Sequence, residues 1–444
     1  MTGRTCPTPR FPRTSLTVAA AALCASLLLT GCATLTGSAG ASGESGGKAP
    51  VTVMTWAPES TSATNMPGMP AMAKTYARWV NARGGVGGHE LRVLTCNERN
   101  DTVSAARCAR RAAAGNVVAV VGSYSQHGRA FMSPLEAEGI PYIGGYGVTD
   151  EEFSSPLSYP VNGGNATLIA GSGRQLAAHR CERVTLVRPD TIGGDRMPSL
   201  ISAGLAEGSA GTEGAAADVR APEDASEYTR QGERALDLLD IDERGTDGAC
   251  VTAALGERTD AFFDSFRRLR EDGDGIRLAS VLGSVQQSLV DRTGGAGGPF
   301  EGADVTGWYP AADDPAWDRM RAVVREHAFG DNRVDVTDPG AQTTWIAYTV
   351  LHRLIDSLGR EAVTARSLRR ALDSGAGADG IDTGGLTPRL SWNSSDHPGT
   401  TEFPRIANTM VSFQRVREGR LVAARDGFVD VGPTLERRRS TTTD

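Results

Sequence analysis

The sequence predicts an α/β fold of two lobes, and three features of its pattern indicate this. Short β-branched runs alternate with stretches whose apolar residues recur at helical spacing, as they do along residues 72–80. Residues 117–121 form a continuous apolar run, which is typical of a strand buried on both faces of a parallel sheet. Near the carboxyl end, residues 411–416 and 421–424 flank a short polar turn and predict an antiparallel hairpin. Two strand–helix blocks followed by a late helix and hairpin indicate lobes that the chain crosses more than once.

The first block contains four predicted strands with helices between them. We expect strands at residues 51–55, 90–94, 117–121 and 140–143, and helices at about 72–81, 102–114 and 129–138. Gly84 and Gly85 follow the first helix directly, and glycine is the most common residue just past a helix carboxyl end.

The second block repeats the alternation. Its strands are expected at residues 183–187, 215–219, 250–255, 276–282 and 305–309, with helices from 165 onward and near 195–207, 227–240, 259–271 and 315–328. Residues 342–358 then predict a strongly amphipathic helix, since one face carries the apolar side chains of Trp345, Tyr348, Leu351, Ile355 and Leu358.

The amino terminus has the pattern of an export signal. Arginines precede an apolar run at about residues 16–29, which is too short to span a membrane comfortably. Residues 29–32, LTGC, resemble the lipobox of bacterial lipoprotein signals, which makes Cys32 the expected lipidation site. We therefore expect a signal peptide at residues 1–31 and a flexible Gly/Ser-rich tether at 32–50; an uncleaved signal anchor is the alternative.

Charge argues against a nucleic-acid partner. The chain has a formal net charge of −7 at pH 7, and removal of a leader that contains arginines but no acid would make it more acidic. Nucleic-acid binding requires a basic surface. The lipid at Cys32 would be the only link to the membrane.

Four cysteines remain beyond Cys32, and an even number in an exported protein suggests disulfides. Cys96 ends a predicted strand and Cys108 lies on the following helix, close enough to pair locally. Cys181 and Cys250 adjoin two strands of the second block and would pair if those strands are neighbours. A metal site is the weaker alternative, because the chain has no CxxC or histidine-rich spacing.

A family resemblance becomes specific at residues 81–91, NARGGVGGHEL, which look like the NAxGGIxGxxL turn of leucine/isoleucine/valine-binding proteins. These are type 1 periplasmic binding proteins that serve ABC transporters. Further similar segments follow in the family's order, at residues 120–123, 139–143, 183–187, 345–358 and 390–393. The resemblance covers about residues 51–430.

The resemblance implies two Rossmann-like lobes with parallel sheets, joined by a three-crossover hinge that closes around a ligand. Mapped on this chain, the crossovers lie near residues 160–163, 308–312 and 383–388. The first lobe would comprise residues 51–161 plus 312–385, the second 164–308 plus 388–430, and residues 431–444 a disordered tail.

Ligands of open parallel sheets bind beyond the carboxyl ends of the strands, which nominates the loops there. In the loop of Ser123, Tyr124 and Ser125, a glycine-led turn into a helix offers backbone N–H groups and hydroxyls for a carboxylate. The resembled family holds its ligand's carboxylate at this loop; a simple serine cap of the helix is the alternative.

Aromatic and glycine residues complete the predicted first-lobe side of the site. Trp56 would form a wall for an apolar or ring-bearing ligand, or else only pack on its helix. Gly145 and Tyr146 follow the fourth strand, where Tyr146 would lie on the ligand or in the core.

The second lobe departs from the amino-acid binders of the family. They place an acidic residue against the ligand ammonium in the loop aligned with residues 283–286, where this chain has Ser284 and Gln286 but no acid. Asp190, beside Thr191, or Glu257 would be the substitutes. A ligand without an α-ammonium is therefore the open alternative.

Catalysis is not expected, because no triad elbow, Walker loop, HExxH motif or metal-ligand spacing occurs in the chain. The leading interpretation is a monomer that captures a small molecule, an amino acid or related amide or carboxylate, and delivers it to an ABC permease without any cofactor. A tethered ligand sensor of the same fold is the first alternative, and an extracytoplasmic enzyme the second.

Overall fold

The computed structural model describes residues 48–62, 64–208, 215–270, 275–375, 379–393, 400 and 402–437, all within a compact unit of residues 47–444. The predicted signal peptide, Cys32 and most of the tether lie outside the described residues. Within those ranges, no helix has the length and apolar character needed to cross a bilayer.

The first sheet has five parallel strands in the order β2-β1-β3-β4-β5. The strands are β1 (Lys48–Ala57), β2 (His89–Asn97), β3 (Ala119–Val121), β4 (Tyr142–Ile143) and β5 (Ser158–Tyr159). The helices between them are α1 (Gly68–Asn81), α2 (Thr102–Ala114), α3 (Gly128–Glu138) and α4 (Glu151–Ser154). We call this sheet and the helices packed on it the first lobe.

The second sheet is mixed, with the order β12-β11-β10-β9-β8-β6-β7. Its parallel strands are β6 (Arg183–Pro189), β7 (Ala217–Ala221), β8 (Ala249–Ala253), β9 (Arg277–Val281) and β10 (Asp304–Gly307). Its helices are α5 (Gly164–Ala178), α6 (Met197–Gly208), α7 (Thr229–Leu239), α8 (Ile241–Arg244), α9 (Thr259–Arg268) and α10 (Gln287–Arg292). This sheet and its helices form the second lobe.

After β10 the chain returns to the first lobe before it completes the second sheet. Helices α11 (Asp318–His327), α12 (Pro339–Leu358) and α13 (Ala365–Asp373) come next, and α12 packs on α1 and β3. The predicted hairpin is confirmed as β11 (Met410–Arg417) and β12 (Arg420–Ala423), antiparallel to each other, with β11 antiparallel to β10. The α/β class is confirmed, although the second sheet is mixed because this hairpin extends its parallel strands.

Both predicted disulfides are confirmed. Cys96 bonds to Cys108, and Cys181 bonds to Cys250, with Cα atoms 5.8 Å apart in each pair. The second pairing follows from strand order, because β6 and β8 are hydrogen-bonded neighbours and Val184 is in register with Cys250.

Segments between the lobes are tied together by buried hydrogen bonds around Tyr309. Its hydroxyl accepts a bond from the Asn162 amide at 3.0 Å and shares another with the Thr343 hydroxyl at 2.9 Å. Its carbonyl oxygen accepts one from the Gln414 amide at 3.0 Å. Because these residues belong to separate passages of the chain, Tyr309 links several passages where they approach one another.

The third passage between the lobes lies later in the chain than the resemblance implies. Residues 388–430 were expected in the second lobe, but the Trp392 indole N–H donates to the Pro160 carbonyl oxygen at 3.0 Å, beside β5. Phe403 packs edge-on against Phe153 of α4, with ring centroids 6.2 Å apart. Trp392 and Phe403 therefore pack on the first lobe, and the chain joins the second sheet later, with β11 and β12.

The carboxyl end also differs from the expected tail of residues 431–444. Strand β13 (Val429–Asp430) pairs with β11, and helix α14 (Gly432–Arg437) follows it. Leu435 is buried, and α14 packs on α5 and α6. Residues 431–437 are therefore ordered on the second lobe, and residues 438–444 of the expected tail lie outside the described residues.

Candidate ligand site between the lobes

The predicted site residues were drawn from loops at the carboxyl ends of the strands. In the first lobe these loops follow β3 and β4, and in the second they follow β6, β8 and β9. The structure brings some of these loops together across the two lobes and turns others away.

Ser123 and Ser125 use their hydroxyls inside the first lobe. Both residues are fully buried. The Ser123 Oγ accepts the backbone N–H of Trp56 at 3.1 Å, and the Ser125 Oγ donates to Glu98 Oε2 at 3.0 Å. These bonds fix the loop after β3, so a ligand role for this loop would depend on its other groups, Tyr124 above all.

The loop after β4 is organised by a buried carboxylate that the sequence analysis did not single out. Glu152 is 1% exposed and accepts the backbone N–H groups of Gly147, Val148 and Thr149 at 2.9–3.1 Å. Burial raises the pKa of Glu152 to about 7, against the lowering effect of these donors. The carboxylate thereby holds the loop that carries Tyr146.

Gly145 belongs to the same loop and has a packing role. A side chain at this position would collide with the Glu152 carboxylate and the Tyr142 ring. Gly145 is therefore required by the close approach of its neighbours, and it positions the loop without a side chain of its own.

Among the predicted residues of the first lobe, Tyr146 lies against the second lobe. Its ring lies edge-on to Tyr124 on one side and to Trp308 on the other, with centroid distances of 5.3 and 5.1 Å. A Cβ built on Gly283, in the loop after β9, would lie 2.5 Å from the Tyr146 hydroxyl oxygen. The aromatic group of Tyr124, Tyr146 and Trp308 thus connects the first-lobe loops to the second lobe.

Trp56 is placed elsewhere. Its side chain is fully buried in the core under α2 and α3, against Phe131 at 5.5 Å and Tyr142 at 5.9 Å between ring centroids. The alternative weighed for this residue, packing rather than a ligand wall, is the one that the structure adopts.

Asp190 and Thr191 are turned toward the outer edge of the second sheet. The Asp190 carboxylate lies 3.6 Å from the guanidinium of Arg220 on the edge strand β7, and the Thr191 hydroxyl accepts the backbone N–H of Gly194. Buried Arg188 fixes this loop by pairing with Asp218 at 2.9 Å. Asp190 is therefore not brought to the first-lobe loops.

The loops after β8 and β9 meet each other in the second lobe. The Ser284 Oγ accepts the backbone N–H of Gly256 at 3.0 Å, which joins the loop of Ser284 to the loop of Glu257. Gln286 is half-buried at the start of α10. Glu257 is exposed and, among the described residues, forms no ion pair within 4.0 Å.

An acid that the sequence analysis did not single out lies at the start of α12 in the first lobe. Asp338 caps α12, and its Oδ2 accepts the backbone N–H of Ala341 at 2.7 Å. Burial, Asp335 and Glu257 together raise the pKa of Asp338 to about 6. Burial, with a smaller contribution from the charge of Asp338, raises the pKa of Tyr146 well above its usual value.

A separate cavity of about 460 Å³ lies at the opposite edge of the second lobe, beside the amino-terminal ends of β9 and β10. Arg267, Arg270 and Phe266 are among its lining residues. It is remote from the carboxyl ends of the strands and contains none of the predicted site residues. In the described part of the chain, no three His, Cys, Asp or Glu side chains cluster as a metal site would require.

Comparison with known proteins assigns the family. The family model described as periplasmic binding protein matches residues 54–404, most of the chain. This chain belongs to the periplasmic binding protein family.

Solved structures of similar fold agree with this assignment. The protein resembles a branched-chain amino acid ABC transporter protein from Thermus thermophilus with bound valine, at 13% identity and a TM-score of 0.69, over 90% of this chain and 100% of that one. It also resembles a solute-binding protein of an ABC transporter from R. palustris in complex with 4-hydroxybenzoate, at 14% identity and a TM-score of 0.67, over 86% and 97%. A third, from Rhodopseudomonas palustris BisB5 with 3,4-dihydroxybenzoic acid, has 15% identity and a TM-score of 0.64, over 86% and 97%.

Among curated proteins, no sequence matches this periplasmic binding protein. The resemblance to leucine/isoleucine/valine-binding proteins is confirmed, as is the type 1 architecture. The chain is thus a periplasmic binding protein of type 1 architecture.

Proposed function

We propose that this periplasmic binding protein captures a small solute between its two lobes and presents it to an ABC permease. The observation that carries this is the position of Tyr146: it is anchored in the first lobe through the Glu152 loop, and its hydroxyl faces Gly283 of the second. A solute bound at this junction would contact both lobes at once. Its binding would favour the closed arrangement, which is how two-lobed binding proteins respond to a ligand.

The protein would act outside the cytoplasm, held to the membrane by lipid on Cys32. The lipobox-like residues 29–32 support this, as do the two disulfides, which persist in oxidising compartments. The protein would work as a monomer without a cofactor and without catalysis, since its family binds substrates.

The ligand would be an amino acid or a related small carboxylate. Relatives of similar fold contain valine, 4-hydroxybenzoate or 3,4-dihydroxybenzoic acid, so the same architecture accepts both classes. In this chain Tyr124 and Tyr146 would contact the ligand directly. The loops that carry these tyrosines would be held by Ser123, Ser125 and Gly145. The second lobe would contribute Glu257, Ser284 and Gln286 on the opposite side. The proposed site no longer includes Trp56, Asp190 and Thr191.

The Tyr146→Phe variant tests the site. It removes the hydroxyl and keeps the ring, so a ligand that bonds to this oxygen should bind with about 1 kcal/mol less free energy, roughly fivefold more weakly. Tyr348→Phe is the matched control, because it removes another buried hydroxyl, bonded to Thr55 in the first-lobe core. Isothermal titration of the full chain with its solute measures both. Equal affinities in wild type and Tyr146→Phe would place the ligand away from Tyr146.

A further inference from the structure

An exposed aromatic residue on the first lobe has a strained backbone. Phe329 lies just past the end of α11, where glycine is favoured, and its φ of 53° falls in the left-handed region. Its side chain is 76% exposed. A single exposed apolar residue is common, but here the exposure coincides with a conformation that persists only where the surrounding structure enforces it. This combination indicates a ring that is held out for an external partner.

Contacts from α1 hold the turn of Phe329 in place. The Arg78 Nε donates to the carbonyl oxygen of His327 at 2.7 Å, and the Arg78 guanidinium lies 5.3 Å from the centre of the Phe329 ring. After the ring, the backbone N–H of Asp331 donates to the Ala328 carbonyl oxygen at 3.1 Å. The turn is therefore fixed by hydrogen bonds, while the ring itself stays in solvent.

Four cations accompany this ring on or beside the packed helices α1 and α11, in a chain whose formal net charge is −7. We call this surface the α1–α11 face and define it by Lys74, Arg78, Arg83, Arg319 and Phe329. Lys74 and Arg78 are one turn apart on α1, which contains no acidic residue. Arg83 and Arg319 are joined through one aromatic ring, since each guanidinium lies 5.8 Å from the Trp79 ring.

The charge of the α1–α11 face is not neutralised within the described part of the chain. None of its four cations forms an ion pair within 4.0 Å there. Two acids of α11 and the turn after it are paired with other arginines, Asp318 with Arg321 at 2.6 Å and Asp331 with Arg333 at 2.7 Å. A basic surface that also exposes an aromatic ring suits a partner with both anionic and apolar groups, as the interface of a lipid bilayer has.

The described end of the tether lies beside this face. Lys48 at the start of β1 is in register with His89, which directly follows the turn that carries Arg83. A Cβ built on Gly88 of that turn would lie 3.8 Å from the Lys48 side chain. Fifteen residues separate Lys48 from Cys32, so an extended tether spans at most about 50 Å and a flexible one about 20 Å on average. A lipid on Cys32 would keep this end of the first lobe within that distance of a bilayer.

From these contacts we propose that the α1–α11 face docks on the anionic surface of the membrane that holds the lipid anchor. The inference rests on the membrane attachment proposed above and goes beyond solute capture. The cations would pair with anionic lipid headgroups, and the Phe329 ring would enter the boundary between headgroups and acyl chains. Because the tether makes docking intramolecular, a weak attraction is sufficient to orient the first lobe on the membrane.

Hydrogen exchange of the full chain, anchored in vesicles, tests this proposal. The vesicles contain phosphatidylcholine alone, or equal parts of phosphatidylcholine and phosphatidylglycerol. On the anionic vesicles, we expect the turns at residues 82–88 and 328–333 to exchange roughly threefold more slowly or more. The turn at residues 417–420 of the second lobe should exchange equally on both. In 1 M salt, where the Debye length is about 3 Å, the difference should largely disappear.

Charge variants separate this face from the rest of the surface. The protection should be lost in the triple variant Lys74→Gln, Arg83→Gln, Arg319→Gln. A control variant, which removes three exposed arginines of the second lobe and should keep the protection, is Arg230→Gln, Arg244→Gln, Arg417→Gln. Equal exchange on both kinds of vesicle, or protection that survives in the triple variant, would overturn docking and leave solute capture intact.

The Phe329→Asn variant tests the role of the ring. Asparagine tolerates the left-handed conformation, so the urea midpoint of this variant should equal or exceed that of the wild type, while its protection on anionic vesicles should fall. A lower midpoint would assign Phe329 to packing and overturn its role in docking. If mass spectrometry finds no lipid on Cys32, the proposed membrane attachment fails and docking fails with it, whereas solute titration tests capture separately.

Discussion

Replacing Glu152 with glutamine tests how the loop of Tyr146 is held. In the native protein, Glu152 Oε1 accepts the N–H groups of Val148 and Thr149, and Oε2 accepts that of Gly147. Glutamine supplies one oxygen and an NH2 group, so at least one buried donor loses its acceptor. One such loss costs about 1–3 kcal/mol of unfolding free energy.

The unfolding free energy lost in the Glu152→Gln variant should depend on pH in a specific direction. Burial raises the pKa of Glu152 from its usual 4.5 to about 7, so the native protein keeps a proton that the unfolded chain releases. The stabilisation that this proton provides is complete below pH 4.5 and is lost as the pH rises through 7. Between pH 6 and 8 the wild type should lose roughly 1.4 kcal/mol relative to the glutamine variant, which cannot titrate.

Urea unfolding of both proteins at pH 6 and pH 8 measures this difference. The neighbouring Glu151→Gln variant is the control. Glu151 forms a long ion pair of 3.8 Å with exposed Arg129, so this substitution should lower the unfolding free energy by at most about 1 kcal/mol at either pH. A cost of Glu152→Gln that grows between pH 6 and 8 would refute the reasoning. It would mean that the three N–H donors outweigh burial and keep the carboxylate ionised.

Three further outcomes are expected from other parts of the molecule. Serine at both Cys181 and Cys250 should lower the unfolding free energy by about 4 kcal/mol, since the bond closes a loop with a sequence separation of 69; a loss under 1 kcal/mol in urea would contradict this. A double-mutant cycle of Arg196→Ala and Asp150→Ala, whose ion pair of 2.7 Å joins the lobes, should give a coupling of about 0.5 kcal/mol that falls in 1 M salt. The Asp338→Asn variant should gain stability relative to wild type as the pH rises from 5 to 7, because the raised pKa of about 6 makes the ionised acid unfavourable; a constant difference would argue against that shift.

Strand–helix alternation predicted the fold class. Cysteine spacing predicted the Cys96–Cys108 disulfide, and it predicted the Cys181–Cys250 disulfide on the condition that the two strands are neighbours. Buried parallel strands give continuous apolar runs, as β3 does, and such runs are visible in the sequence itself. Cys181 and Cys250 flank strands whose adjacency then determines the pairing.

The orientation of individual side chains could not be predicted in the same way. Trp56 lies near the end of β1, a strand covered by helices on both faces, so alternation along β1 does not distinguish the core from a cleft. Asp190 is directed outward because its loop is fixed by the pairing of Arg188 with Asp218, a contact between residues of different strands.

Asp338 was not predicted as a site residue, because a role as a helix N-cap already accounts for an aspartate at this position. An aspartate before proline at a helix start indicates an N-cap, and it does serve as one. Its raised pKa results mainly from burial in the folded protein, which no periodicity along the chain encodes.

Thermal unfolding of the full chain with a broad panel of small solutes tests the central claim most directly. The panel contains amino acids, amides, aromatic carboxylates, amines, nucleosides and sugars, each with wild type and with Tyr146→Phe. A solute at 100 times its dissociation constant should stabilise the wild type by about 2.7 kcal/mol. At the same concentration it should stabilise Tyr146→Phe less. If no solute raises the unfolding temperature, or if one does so equally in both proteins, solute capture at Tyr146 between the lobes is contradicted.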